Sequence, residues 1–272
     1  MKKLLSAILA LLLVAGMCVS CSDKNKENDD DWKDGYMQED EEDIDNETIN
    51  GETFYFEALD TETVTITGYQ GSDDPHVLNI PTTLNGKTVT EIADEAFYYC
   101  SKINAINIPS TITKIGSKAF AGCALVTALT IPANVTSVDS SAFYGCTGLT
   151  DLTFADGFAG IIGDSAFMEC TKLTEVVIPG TVKIIGAGAF FGCAALETVT
   201  VSEGVELIGT QAFQNCTKLA TLTLPASVQT IGSYAFEGCE DSITTINVPD
   251  NCVAKTYVDQ YLKTEEKVTT AA

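Results

Sequence analysis

The chain has 272 residues, of which 45% are apolar, enough for one sizeable hydrophobic core. Its formal net charge is −23, from 38 acids against 15 bases, and every base is a lysine. So acidic a chain offers no basic surface for phosphates, which excludes nucleic acid as a partner. The single histidine, His76, excludes His-based triads, multi-His zinc centres and His relays.

Met1-Lys2-Lys3 and the apolar run 4–16 form the two parts of a secretory signal. The run is shorter than the roughly 20 residues that span a bilayer. It ends in Cys18-Val19-Ser20-Cys21, which resembles a bacterial lipobox, although Cys18 stands where that motif has leucine. The resemblance implies cleavage after residue 20 and lipidation at Cys21, and hence an outer-membrane or cell-surface protein. Residues 22–47 then carry 13 acids and 3 lysines, a net of −10. Such a segment cannot bury enough surface to fold, so 21–47 is expected to be a disordered, self-repelling tether. The acids behind Cys21, notably Asp29-Asp30-Asp31, resemble surface-export signals of some lipoproteins. A calcium loop starting at Asn46 and ending at Glu57 is a poor reading, because Asn46 and Thr48 occupy places that want carboxylates.

The rest of the chain is repetitive. Ala-Phe-x-x-Cys occurs seven times, at Phe97, Phe120, Phe143, Phe167, Phe190, Phe213 and Phe236, in steps of 23 residues with one of 24. The partner cysteines are Cys100, Cys123, Cys146, Cys170, Cys193, Cys216 and Cys239. Apolar residues follow each cysteine with strand-like alternation, usually closed by proline, as in Ile103, Ile106, Ile108, Pro109. Proline there ends a strand where no ladder donor is needed. A glycine such as Gly116 marks a corner, and Ser-Lys-Ala-Phe behind it reads as a helical turn. One coil cannot cover its own apolar face, so neighbours must stack at strand spacing, roughly 4.8 Å. The expected fold is a solenoid of short parallel strands.

This pattern resembles the BspA-like leucine-rich repeat, with its signature I-P-x-x-V-x-x-I-G-x-x-A-F-x-x-C-x-x-L. The repeat domain with its caps is expected over 48–263. Strands at Thr53-Phe54-Tyr55-Phe56 and Val64 to Tyr69 would cover the first coil. Tyr257, Val258, Tyr261 and Leu262, at helical spacing, would cover the last, and 264–272 would be frayed. The resemblance implies adhesion or ligand binding, to a protein or glycan outside the cell, and the chain is expected to be monomeric and not an enzyme.

No cofactor or metal is expected. Cysteines one coil apart lack the paired spacing of zinc sites, and a buried free thiol accounts for the ladder without disulfides. His76 falls in the turn-rich stretch 71–76 and is expected on an exposed loop. Asp151 and Glu175 share a face at carboxylate-pair spacing, but that face promises no cleft for glycoside hydrolysis. The candidate ligand surface is the outward strand face, represented by Asn107, Thr130, Asp151, Thr153, Glu175, Thr200, Thr223 and Asn247. Two alternatives remain: an accessory carbohydrate-binding protein of a nutrient system, and a purely structural envelope protein. The first calls for exposed aromatics clustered on one face, and the repeat pattern offers none.

Overall fold

The computed structural model describes residues 44–262 and the backbone of Val268–Thr269. The signal segment, Cys21 and most of the acidic segment lie outside the described residues. The fold starts earlier than residue 48: β1 (Asn46–Ile49) pairs antiparallel with β2 (Glu52–Ala58). The connecting Asn50 and Gly51 both take positive φ, 53° and 86°, as a tight hairpin turn requires. Glu47, expected in the tether, instead accepts the Asn85 N–H at 2.6 Å. Asn46 and Thr48 sit in a strand ladder, which leaves no calcium loop there.

β3 (Thr63–Gln70) continues the hairpin and then runs parallel to β6 (Lys87–Ile92), against which the two-residue β5 (Thr83–Leu84) folds back. β4 (His76–Asn79) crosses to the opposite side and pairs with β7 (Ile103–Asn107). From there each coil supplies two strands. A back sheet grows by β8 (Lys114–Ile115), β10 (Ser137–Val138), β12 (Ile161–Ile162), β14 (Ile184–Ile185), β16 (Leu207–Ile208) and β18 (Thr230–Ile231). A front sheet grows by β9 (Ala128–Ile131), β11 (Asp151–Phe154), β13 (Glu175–Ile178), β15 (Thr198–Val201), β17 (Thr221–Thr223) and β19 (Thr245–Asn247), all parallel.

The third side, read from sequence as a helical turn, is a run of tight i→i−3 turns. In the first coil these are closed by Ala96 to Ala93, Tyr98 to Glu95 and Cys100 to Phe97. Residues two before and two after each Phe, such as Glu95 and Tyr99, adopt positive φ, so the chain cannot wind on as a helix. Their N–H groups, and that of the Phe between them, point along the stack instead. Glu95, Phe97 and Tyr99 donate to Ser117, Ala119 and Ala121 of the next coil. Backbone hydrogen bonds therefore tie the coils together on all three sides.

Inside, the seven phenylalanines stack with ring centroids 4.9–5.4 Å apart and planes within 10° of parallel. Tyr69 prolongs the column at 5.1 Å from Phe97, and Tyr257 closes it at 6.1 Å from Phe236. Corners are tight: a side chain at Gly186 would lie 2.5 Å from the Gly163 backbone below it. At the C-terminus α1 (Val253–Tyr257) continues as a single π-helical turn, Val258–Leu262, which buries Val258 and Leu262. The segment expected to be frayed also takes part, since β20 (Val268–Thr269) adds to β19 as a last strand.

Phe167 is fully buried at mid-column, between Phe143 and Phe190. Phe167→Ala should destabilise the domain by about 3–5 kcal/mol through lost contact and the remaining cavity. Denaturant unfolding checks this; a loss below about 1 kcal/mol contradicts a core role.

Candidate functional site

The front sheet brings the candidate surface together from alternate residues of each strand. In register, Asp151 stands beside Ala128 on one side and Glu175 on the other, and Glu175 beside Thr198. That row continues through Thr221 to Thr245. A second row runs Thr130 and Thr153, then, past a break in the ladder, Val177, Thr200, Thr223 and Asn247. Thr130, Asp151, Thr153 and Glu175 are exposed; Thr200, Thr223 and Asn247 are half-buried. The Thr side chains are what a half-exposed strand selects, and their inward neighbours Leu152, Val176, Val199 and Leu222 belong to the core.

The strip has two joints. Between β11 and β13 the ladder keeps only the pair Asp151 and Glu175, where the 24-residue repeat has its extra residue. Asn107 lies on β7, which pairs with β4 rather than joining the front sheet, and its side-chain amide donates to Asn79 at 2.7 Å. Asp151 accepts the Thr150 hydroxyl at 2.6 Å. It lies on the same face as Glu175, and both are exposed.

The cysteines behave as core. Cys100 through Cys239 are buried thiols outside any disulfide. From Cys123 onward each Sγ lies 3.2–3.5 Å from the carbonyl of the Phe one coil earlier. That carbonyl already accepts the N–H of its own coil's cysteine, as Phe97 does from Cys100. The thiol therefore satisfies the second lone pair of a buried oxygen. Burial pushes the Cys146 and Cys193 thiols up to about 12, and Cys170 likewise moves well above the ordinary range. Cys216 is raised as well, first by its hydrogen bond with the Cys239 thiol and then by burial. Among the described residues no group of three or more His, Cys, Asp or Glu is placed to hold a metal ion.

His76 is not on an exposed loop. It opens β4, and its ring packs half-buried against Tyr69, with Nε2 2.7 Å from the phenol oxygen and 3.3 Å from the Glu52 carboxylate. The Tyr69 hydroxyl donates to Glu52 at 2.6 Å, and the other imidazole nitrogen meets the Asp74 carbonyl at 2.8 Å. Glu52 and His76 line a shallow depression of about 420 Å³ at the N-terminal cap. The sequence signal for this was the tyrosine itself: a ring facing the end of an aromatic column must still place its hydroxyl.

The profile described as BspA type leucine rich repeat region matches in six copies, over residues 78–161 and 159–262. The chain belongs to that family. Among solved structures it is similar to a leucine-rich repeat protein from Bacteroides ovatus ATCC 8483, at 30% identity and a TM-score of 0.63, over 75% of this chain and 55% of that one. It is also similar to a leucine-rich repeat protein of T. pallidum, at 29% identity and a TM-score of 0.65, over 80% of this chain and 97% of that one. A third is a leucine-rich cell surface protein from Faecalibacterium prausnitzii A2-165, at 31% identity and a TM-score of 0.62, over 75% and 54%. The chain thus covers only about half the length of the Bacteroides and Faecalibacterium proteins. No curated protein matches it.

The thiols generate a prediction. A thiol whose pKa is raised from 9.0 to about 12 by folding contributes stability that is complete below about pH 9 and drains away toward pH 12. Thiolate absorbance from Cys146, Cys170, Cys193 and Cys216 at pH 10 should therefore be absent from the folded protein and appear on unfolding, while the denaturation midpoint falls between pH 8 and pH 10.5. Thiolate signal from these four cysteines in the native protein at pH 10 contradicts the assignment.

Proposed function

We propose that this chain is a lipid-anchored surface protein that binds an external protein partner through its front sheet. The observation that carries the reading is the pair of side-chain rows in register from β9 to β11 and from β13 to β19, joined at Asp151 and Glu175. Six strands at about 4.8 Å give a face roughly 25–30 Å long, within the range of a standard protein contact. Family membership and the Faecalibacterium cell surface protein support the location. The signal segment and Cys21 support the anchor.

Two experiments test the halves separately. Cys21→Ala should abolish metabolic labelling with a fatty acid; unchanged labelling removes the anchor. For binding, a screen of host-matrix and bacterial surface proteins against the intact protein comes first. Asp151 and Glu175 are the charges of the middle rungs, so Asp151→Lys with Glu175→Lys should change the association rate or its salt dependence. Thr200→Lys with Thr223→Lys should weaken affinity at least tenfold by blocking the strip. If all four substitutions leave binding unchanged in a folded protein, the front sheet is not the site.

A further inference from the structure

The side of the solenoid formed by tight turns was expected to carry no exposed aromatics, and it carries a stripe of them. The residue after each column phenylalanine occupies the same place in successive coils: Tyr98, Ala121, Tyr144, Met168 and Phe191, then Gln214 and Glu237. Tyr144 is 37% exposed, and Tyr99, next to Tyr98, is 52% exposed. Tyr98 and Tyr99 meet edge to face at 4.5 Å. Tyr98, Met168 and Phe191 are half-buried, so each offers part of an apolar surface to solvent. Ala121 is fully buried beneath its neighbours.

Glycines open the ground beside this stripe. The Tyr99 ring lies against Gly122, where an added Cβ would sit 2.7 Å from its Cδ1. One coil on, a Cβ at Gly145 would meet nothing nearer than the Gly122 nitrogen at 3.9 Å. A further coil on, that place is filled by Glu169, whose carboxylate lies over Gly192. The result is an open notch at Gly145, between the Tyr99 ring over Gly122 and Glu169, whose carboxylate reaches onward along the stack over Gly192.

We propose that this notch and stripe bind a neutral glycan chain lying along the solenoid axis, with sugar rings on Tyr99 and Tyr144 and hydroxyls on the Glu169 carboxylate. Tyrosine suits that ligand: an apolar face for the C–H side of a sugar ring and a polar tip for its hydroxyls. The backbone cannot recruit a strand, because its N–H groups are committed from coil to coil, as in Gly122 to Tyr144 and Gly145 to Met168. Four coil steps make a stripe about 20 Å long and one side chain wide, on the order of 200 Å². A stable protein contact needs roughly 800 Å² per partner, so the occupant is slender. A second copy of the chain, carrying the same net charge of −23, is disfavoured, and so are acidic polysaccharides. This surface is separate from the front sheet.

Native affinity electrophoresis of the intact protein tests the proposal, using gels that contain mannan, xyloglucan or dextran, with polygalacturonate as the anionic control. At least one neutral polymer should retard the protein, and polygalacturonate should not. Tyr99→Asn with Tyr144→Gln introduces residues that the sixth coil already carries at these places, Asn215 and Gln214, so the fold should tolerate them. The pair should weaken retardation at least tenfold, and Glu169→Gln, an independent variant, severalfold. Asp151→Lys with Glu175→Lys should leave it unchanged, which separates this site from the front sheet. No retardation by any of the three neutral polymers, or equal retardation of the Tyr99 and Tyr144 variant, overturns the proposal.

Discussion

Everything in this molecule depends on one repeated distance. Parallel strands hydrogen-bond at about 4.8 Å, and flat aromatic rings stack with centroids only slightly farther apart. The column from Phe97 to Phe236 runs at 4.9–5.4 Å, so one coil spacing serves the backbone ladders and the core together. A larger or branched residue in that slot would push coils apart and stretch the ladders on all three sides. The small Ala before each Phe and the corner glycines keep backbones at the same spacing.

Stability in such an array comes from neighbours, since a coil touches only the coils above and below it. The two ends therefore need different chemistry from the middle. At the N-terminus the β1–β2 hairpin and β3 cover the first coil, and Tyr69 brings its hydroxyl out to Glu52 and His76. At the C-terminus α1 and the π-helical turn do the same work with Ala254, Val258 and Leu262. Tyrosine at both ends of a phenylalanine column suits a ring that is apolar on one side and wet on the other. The exposed ion pairs that link coils, such as Lys183 with Glu206 at 3.0 Å, add little to this by comparison.

Much of this was legible in the sequence because repetition amplifies weak signals. One Ala-Phe-x-x-Cys is uninformative; seven at fixed spacing fix the coil, the inward rows and the outward rows. Two misreadings fall where repetition stops. Asn50-Gly51 is a strong hairpin signal that the acidic run before it obscured, and β1 follows from it. His76 was read by its Gly, Asp and Pro neighbours, although its partners Glu52 and Tyr69 are distant in sequence. On the turn side, helical and tight-turn hydrogen bonds share the i→i−3 pattern locally, and only the positive φ at residues such as Glu95 and Tyr99 separates them. The aromatic stripe was missed because its members are not identical: Tyr98, Tyr144, Met168 and Phe191 share a place but not a letter.

The caps carry a further implication. Because Tyr69 and Tyr257 close the column without reference to how many rings lie between them, array length is a variable the sequence can change freely. Duplication or loss of one 23-residue unit leaves both ends intact, and changes reach by a single rung. Descendants of such a gene can grow or shorten by recombination within the repeats, adjusting the length of the array without refolding anything else.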